Sequence, residues 1–147
     1  MEIDEKDRCI VNVLLSNSRL SYRQIAKKVG LSVVTVLNRI KKLEKEEIIK
    51  RYSTIIDYEK LGYDVSVIIQ IRISKGKLFD VEQKIATHPN VSIVYDHTGD
   101  FDATIIAKFK SRKFMDVFLK KIQTYDFVER TETKLILNTL KEELIKL

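Results

Sequence analysis

The residues with the clearest capacity for chemistry lie between Asn17 and Lys42, a stretch with seven basic side chains and no acidic one. From residue 52 onward, by contrast, 15 basic residues face 14 acidic ones. A positive segment attached to a nearly neutral remainder is typical of a protein in which one part meets a polyanion and another part has a different task. Charge alone also fits a solvated, lysine-rich surface. The assignment therefore depends on whether a motif accompanies the charge.

The basic stretch contains the pattern of two short helices joined by a tight turn. Gly30 can adopt the left-handed conformation that closes the first of them, and Ser32 can cap the second. Ala26 supplies the small side chain needed where two helices cross, and Val36 is expected to face inward. Together with the basic surroundings, this spacing predicts a DNA-binding helix-turn-helix whose recognition helix runs to about Glu46. The alternative is a three-helix bundle with no ligand.

The start of the predicted recognition helix is the part expected to enter the major groove. With the apolar stripe turned inward, Val34, Thr35, Asn38 and Arg39 are expected to point outward. Asn38 suits bidentate pairing with adenine, and Arg39 suits guanine or a phosphate. Val34 or the Thr35 methyl group could contact a thymine methyl, although an outward Asn38 could also simply be solvated. The other candidate DNA contacts are polar or basic residues suited to phosphates, which position a protein without reading sequence: Arg19, Ser21, Arg23, Lys27, Ser32, Lys41 and Lys42.

Helical spacing of apolar residues predicts three helices before residue 50. Asp4 can cap the first helix, and Ser21 the second, with Gln24 in the capping-box position. Cys9 is expected to be a small packed side chain rather than a nucleophile. The expected apolar residues are Cys9, Ile10, Val13 and Leu14 in the first helix and Val33, Val36, Leu37, Ile40 and Leu43 in the third.

The rest of the chain alternates between strand and helix patterns in the order βαββαβ, which is the ferredoxin-like arrangement with two helices on one face of a sheet. The expected strands are Val65–Ile73, Val91–Thr98, Phe101–Phe109 and Val128–Asn138. Helices are expected through Leu78, Val81 and Ile85, and through Phe114, Val117, Phe118 and Ile122. A short amphipathic tail follows. The fold class is therefore α+β, with a helix-turn-helix domain at 1–50, a strand-bearing linker at 51–62 and a ferredoxin-like domain at 63–147.

Composition and motifs disfavour several other classes of protein. His88 and His97 lie on different elements without metal-ligand spacing, and a cluster of His97 with nearby aspartates is a weak alternative. The four glycines do not form a phosphate-binding loop. We therefore expect no enzyme activity, no metal and no cofactor. The single cysteine, the acidic N-terminal stretch and the lack of a long apolar run favour a cytoplasmic protein without a signal peptide or membrane span.

The segment Gly99-Asp100-Phe101-Asp102 allows two interpretations. It is a good hairpin turn that needs no further purpose. It is also a candidate site for a zwitterionic amino acid, because N–H groups at the glycine can receive a carboxylate while Asp100 or Asp102 receives an ammonium group. Thr131 and Thr133 share one face of the last strand and could add hydroxyl groups, although threonine is also a common strand former.

Several runs of the chain closely resemble the Lrp/AsnC (feast/famine) regulators. They are Asp4-Glu5-Lys6-Asp7, Arg19-Leu20-Ser21, Ile25-Ala26, Val29-Gly30-Leu31-Ser32 and Arg39-Ile40-Lys41-Lys42-Leu43. The turn at Gly99 also resembles the Gly-Asp-aromatic-Asp turn of that family. The resemblance implies a winged DNA-binding head, a ferredoxin-like effector domain and dimers that build larger rings, such as an octamer of four dimers. It also implies a free amino acid as effector.

The chain departs from the family pattern at three places. Val33-Val34 stands where the family usually has a proline near the start of the third helix, and Glu47 stands where it usually has glycine. Phe101 replaces the usual tyrosine of the turn, which removes a hydroxyl group that a ligand could use.

Two function classes remain open at the level of sequence. One is a transcriptional regulator that binds duplex DNA and responds to an amino acid. The other is an architectural DNA-binding protein whose second domain only forms oligomers. Both require the same helix-turn-helix and the same sheet.

Overall fold

The protein is described here by a computed structural model that covers residues 3–74 and 76–147. It forms two compact units: residues up to Ile55 together with Lys141–Leu147, and Ile56–Leu140. The first unit contains α1 (Glu5–Ser16), α2 (Tyr22–Val29) and α3 (Val33–Lys45). The second contains a short 3-10 helix (Glu59–Leu61), β1 (Val65–Ile73), α4 (Leu78–Val81), a π-helical continuation (Glu82–Ala86), β2 (Val91–Asp96), β3 (Ala103–Phe109), α5 (Arg112–Gln123) and β4 (Val128–Leu135).

The three helices of the first unit begin where the caps predicted. Asp4 caps α1 and Ser21 caps α2, each in a reciprocal capping box. The Ser32 hydroxyl accepts a hydrogen bond from the Thr35 N–H at the start of α3. Each cap satisfies an N–H group that the helix itself leaves unpaired. The caps therefore determine where the three helices begin.

Six residues form the buried core of this unit: Ile10, Ile25, Ala26, Val36, Ile40 and Leu43. Two expectations for the core were wrong. Cys9 is exposed, because it lies about 100° around α1 from the buried Ile10. Val33 is 43% exposed, whereas Val36, Ile40 and Leu43 of the same apolar stripe are buried.

α3 ends in a Schellman-type cap at Glu47. The Ile48 N–H bonds to the Leu43 carbonyl at 2.9 Å, and the Glu47 N–H bonds to the Glu44 carbonyl at 3.0 Å. Glu47 adopts a positive φ of 55°, a conformation that favours glycine. The cap therefore forms with glutamate at a position where glycine would be favoured.

The strand expected in the linker does not form in the single chain. Residues 51–57 have no regular secondary structure, and Ile55 is 81% exposed. A strand needs a hydrogen-bonded partner, and the sheet pairings of this chain involve other segments. The segment is held instead at Tyr52, whose hydroxyl donates to the Glu44 carboxylate at 2.8 Å.

The second unit has the predicted βαββαβ order and an antiparallel sheet with strand order β2-β3-β1-β4. Alternate residues of β1, namely Val67, Ile69 and Ile71, are fully buried in the core that α4 and α5 share. Of the four apolar residues that predicted α5, Phe114 and Val117 are 59% and 61% exposed. Only Phe118 and Ile122 of α5 are buried.

The segment Lys141–Leu147 groups with the helical unit and not with the ferredoxin-like domain that was expected to extend to residue 147. It forms no helix. The Asn12 side-chain amide donates to the Leu147 carbonyl oxygen at 2.7 Å, and its oxygen accepts from the Leu147 N–H at 2.8 Å. One amide thus pairs with both backbone groups of a residue, as a neighbouring strand would.

Across residues 3–74 and 76–147, no helix has the length and apolar character needed to cross a membrane.

Candidate functional site

The helix-turn-helix has the geometry that its three key residues predicted. Ala26 and Val36 are 5% and 0% exposed and belong to one core. Gly30 has φ 68° between α2 and α3, and the Leu31 N–H bonds to the Ala26 carbonyl at 3.1 Å. The small side chain, the left-handed glycine and the buried valine therefore set the angle at which α3 leaves the turn.

The first turns of α3 present a free surface. Val34 is 66% exposed, and Asn38, one turn later on the same side, is also exposed. Thr35 is half-buried, and its hydroxyl lies 2.7 Å from that of Ser32, so the capping contact occupies both groups. The methyl group of Thr35 and the side chains of Val34 and Asn38 are the parts best suited to contact bases.

The five basic residues of the predicted phosphate contacts are exposed. In the part of the chain that the structure describes, none of them takes part in an ion pair. Their charge is therefore available to phosphates, whereas that of a side chain paired with a carboxylate would not be. They are Arg19, Arg23, Lys27, Lys41 and Lys42.

Arg39 does not have the outward, free placement expected from the sequence. Its Nη1 atom lies 2.8 Å from both carboxylate oxygens of Asp4 and 2.8 Å from Oδ1 of Asp7. The Asp7 side chain is only 7% exposed, and that of Arg39 is 26% exposed. The hydrogen bonds to Asp7 and then to Asp4 raise the pKa of Arg39. For Asp4, the Asp7 backbone N–H and then the Arg39 guanidinium lower the pKa. The residue thus joins α3 to the first turn of α1.

The candidate effector turn lies between β2 and β3. β2 ends at Asp96, whereas Thr98 was expected, and β3 begins at Ala103, whereas Phe101 was expected. Gly99 has φ 129°, as expected for a turn that requires glycine. Asp100 is exposed. Asp102 is already engaged: its Oδ2 atom accepts from the Ile73 N–H at 2.8 Å, and its N–H donates to the Ile71 carbonyl at 3.0 Å.

Phe101 is 8% exposed in the single chain. The guanidinium of Arg130 lies 4.9 Å from the centre of its ring, within the range of a cation–π contact. A second guanidinium, that of Arg72, donates to the Asp100 carbonyl at 3.5 Å. Two cations therefore border the turn, and the sequence alone had not indicated them.

Thr131 and Thr133 pair with Ile71 and Ile69 across β1. They therefore share the sheet face that packs against the helices, and Thr131 Oγ1 accepts from Gln123 Nε2 at 3.1 Å. Arg130, paired with Arg72, lies on the opposite face. The alternation of β4 was the signal that could have selected Arg130 in place of the threonines.

Comparison with known proteins identifies both units. The family model described as Lrp/AsnC ligand binding domain matches residues 66–145, and the model described as winged helix-turn-helix DNA-binding matches residues 3–50. The chain belongs to the Lrp/AsnC family. It is a DNA-binding transcriptional regulator of that family, which bears out the resemblance seen in the sequence.

Individual relatives agree with this assignment. The chain is 46% identical over 143 residues, covering 97% of each protein, to an uncharacterized HTH-type transcriptional regulator of Pyrococcus furiosus. It is 34% identical to the HTH-type transcriptional regulator FL11 of Pyrococcus horikoshii over 95% of this chain and 93% of that one.

Solved structures have the same fold. The structure of E. coli AsnC superposes with a TM-score of 0.90 at 30% identity, covering 99% of both chains. A transcriptional regulator from Neisseria meningitidis in complex with L-Met superposes with a TM-score of 0.90 at 25% identity, covering 97% of this chain and 94% of that one. The α+β fold predicted from the sequence is confirmed.

Within residues 3–74 and 76–147, no group of histidine, cysteine, aspartate or glutamate side chains is arranged to hold a metal ion.

Proposed function

We propose that the protein recognises a specific operator with the start of α3 and changes its assembly when an amino acid binds at the Gly99 turn. The observation that carries the DNA part is the exposed surface of Val34 and Asn38 beside basic side chains that form no ion pair in the described residues. Because its target is DNA, we place the protein in the cytoplasm.

Asn38 is the proposed base reader, with Val34 and the Thr35 methyl group contacting thymine methyl groups. The phosphate contacts are those predicted from the sequence: Arg19, Ser21, Arg23, Lys27, Ser32, Lys41 and Lys42. Ser32 and Ser21 reach phosphates less freely than the lysines do, because their hydroxyl groups take part in helix caps.

A two-fold dimer is the proposed binding unit. The exposed linker supports it, because residues 51–57 combine strand-forming side chains with backbone groups that have no ladder partner within the described chain. Two recognition helices would then contact half-sites about 10 base pairs apart or a multiple of that. Hydroxyl-radical footprinting on a selected operator tests this, and a footprint without helical phasing or palindromy would contradict it. We further propose that four dimers assemble into an octamer, as the sequence resemblance implies, and light scattering tests this.

For the effector, we propose a free amino acid that binds beside Asp100, with Arg72 or Arg130 receiving its carboxylate. Each arginine would have to exchange a long contact of 3.8 Å, to Glu129 and Glu132 respectively, for the ligand. The named complex of the Neisseria meningitidis regulator with L-Met supports this ligand class. In the single chain Phe101 is buried and Asp102 is engaged. A neighbouring subunit therefore has to complete the pocket, since a turn alone buries too little of a ligand.

Calorimetry with each of the twenty amino acids at about millimolar concentration tests the effector proposal. Binding that disappears in Asp100→Ala but not in Asp96→Ala, an exposed aspartate outside the Gly99 turn, supports it. If none of the twenty amino acids gives a heat of binding with the assembled protein, the result favours the architectural alternative. That alternative has its own support, because in the single chain Asp102 and Phe101 already have partners in the neighbouring strands, namely Ile73 and Arg130.

A further inference from the structure

We infer that Arg39 is a positioning residue of the recognition helix rather than a DNA contact, and that Asp4 and Asp7 withhold its charge from DNA. The inference rests on the proposed DNA surface of α3. It assigns a role to Arg39, the basic residue of that helix that is paired with the two carboxylates. A charged side chain beside Asn38 would otherwise be the first candidate for a phosphate or a guanine.

The arrangement of the two carboxylates explains why Arg39 stays in place. Asp7 is the only charged residue among the buried ones of the described chain. A buried carboxylate is costly unless it is hydrogen-bonded and paired, and Nη1 of Arg39 supplies the pairing at 2.8 Å. In the described residues, no buried side-chain nitrogen or oxygen lacks a partner. Release of Arg39 to DNA would leave Asp7 without its cation.

The carboxylates are themselves held in position. Asp4 Oδ1 accepts from the Asp7 N–H at 2.9 Å, and Asp7 Oδ2 accepts from the Asp4 N–H at 3.3 Å. This reciprocal cap sets the first turn of α1 and presents both carboxylates to α3. Because Arg39 follows Asn38 directly, the contact also determines how α3 is rotated about its axis. Arg39 therefore acts on DNA recognition through the direction in which Asn38 points.

The charge balance distinguishes Arg39 from its neighbours on the same helix. Lys41 and Lys42 are exposed and unpaired in the described residues, so a phosphate can bind them by displacing only counterions. A phosphate that approached Arg39 would meet two carboxylates within 2.8 Å of Nη1. Like charges so close together disfavour binding. The slope of log K against log salt concentration should therefore include a contribution from each lysine that contacts a phosphate and none from Arg39.

The test measures the slope of log K against log salt concentration on a duplex without an operator. Lys41→Ala is the control for a true phosphate contact and should reduce the slope by ~0.9. Arg39→Gln should leave the slope at its wild-type value. A reduction equal to that of Lys41→Ala would overturn the inference. No change in Lys41→Ala would instead contradict the proposed DNA surface, so the two failures are distinguishable.

A second pair of variants keeps the test valid if Arg39→Gln does not fold. Asp4→Asn with Asp7→Asn removes both charges, while asparagine remains a good helix cap. It should release Arg39 and increase the slope by ~0.9. Adding Arg39→Gln to that double variant leaves no buried charge unpaired and should return the slope to the wild-type value. An unchanged slope in the double variant would overturn the statement that the carboxylates withhold the charge.

Rescue by lysine separates positioning from general support of the fold. In binding-site selection at a temperature where both variants are folded, Arg39→Gln should broaden the preference at the base that Asn38 contacts. Arg39→Lys, which restores the cation beside Asp4 and Asp7, should recover part of that preference. An unaltered preference in folded Arg39→Gln would overturn the positioning role.

Discussion

The surface of α3 and the Gly99 turn differ in how complete they are within one chain. On α3, the side chains of Val34 and Asn38 are exposed to solvent. At the turn, Phe101 is buried, and the Asp102 carboxylate already binds a backbone N–H. A site that reads DNA can be complete in one subunit because DNA supplies the opposite wall. A small ligand supplies no such wall, so the protein has to provide the whole pocket.

The largest expected effect concerns the contact that orients the DNA surface. Arg39→Ala should lower the free energy of unfolding by about 2 kcal/mol, because it leaves the buried Asp7 carboxylate without its charged partner. Lys42→Ala, on the same helix but exposed and unpaired in the described residues, should change it by no more than about 0.5 kcal/mol. Urea denaturation followed by circular dichroism measures both. Equal effects of the two variants would mean that the α1–α3 contact does not stabilise the unit.

The next effect separates two aspartates of the turn that look equivalent in the sequence. Asp102→Ala should cost about 1 kcal/mol of stability, because the Ile73 N–H loses its acceptor. Asp100→Ala should cost less than about 0.5 kcal/mol, because the side chain is exposed. If Asp100→Ala proved the more harmful variant, the assignment of roles within the turn would be wrong.

A smaller effect of opposite sign is expected at the end of α3. Glu47→Gly should stabilise the protein by about 0.5–1 kcal/mol, because glycine adopts the observed φ of 55° without a steric penalty. Glu46→Gly is the matched control: Glu46 has φ −84°, so glycine there should only destabilise. Thermal unfolding of the two variants measures the difference. A stabilising Glu46→Gly with a neutral Glu47→Gly would contradict this cap geometry.

The smallest effect is a dependence on pH. The pKa of Asp4 is lowered in the folded protein, first by the Asp7 N–H and then by Arg39. Its contribution to stability is therefore present above the ordinary carboxyl pKa of 3.8 and is lost as the pH falls through the lower pKa of the folded protein. Asp4→Asn should flatten the acid limb of a plot of stability against pH and leave the curve near pH 7 almost parallel to that of the wild type. An acid limb as steep as the wild type's would show that Asp4 does not contribute to it.

Local patterns predicted the parts of the molecule that depend on neighbouring residues in the chain. The caps at Asp4, Ser21 and Ser32 and the glycine at position 30 were visible as residue types at fixed spacing. The alternation of apolar residues in β1 is another local pattern, since Val67, Ile69 and Ile71 are the buried residues of that strand. Capping and alternation act over two to four residues, so a sequence displays them directly.

Contacts between distant residues were beyond these patterns. The partners of Arg39 lie 32 and 35 positions earlier in the chain, so helical spacing within α3 could only suggest that it points outward. Two carboxylates in the first turn of α1 were a signal, but they equally fit a plain helix cap. At the effector turn, the role of Arg130 depends on the register between β1 and β4. The linker strand was predicted from side-chain type, whereas a strand also requires a partner.

Selection of binding sites from random duplex DNA tests the central claim most directly, namely that the exposed start of α3 reads bases through Asn38. The experiment compares the wild type, Asn38→Ala and Asn138→Ala; the last replaces an exposed asparagine in the other unit. We predict that Asn38→Ala loses preference at one base position of each half-site, at a cost on the order of 1–3 kcal/mol there. Asn138→Ala should select the same sites as the wild type. Identical preferences for the wild type and Asn38→Ala would contradict the account.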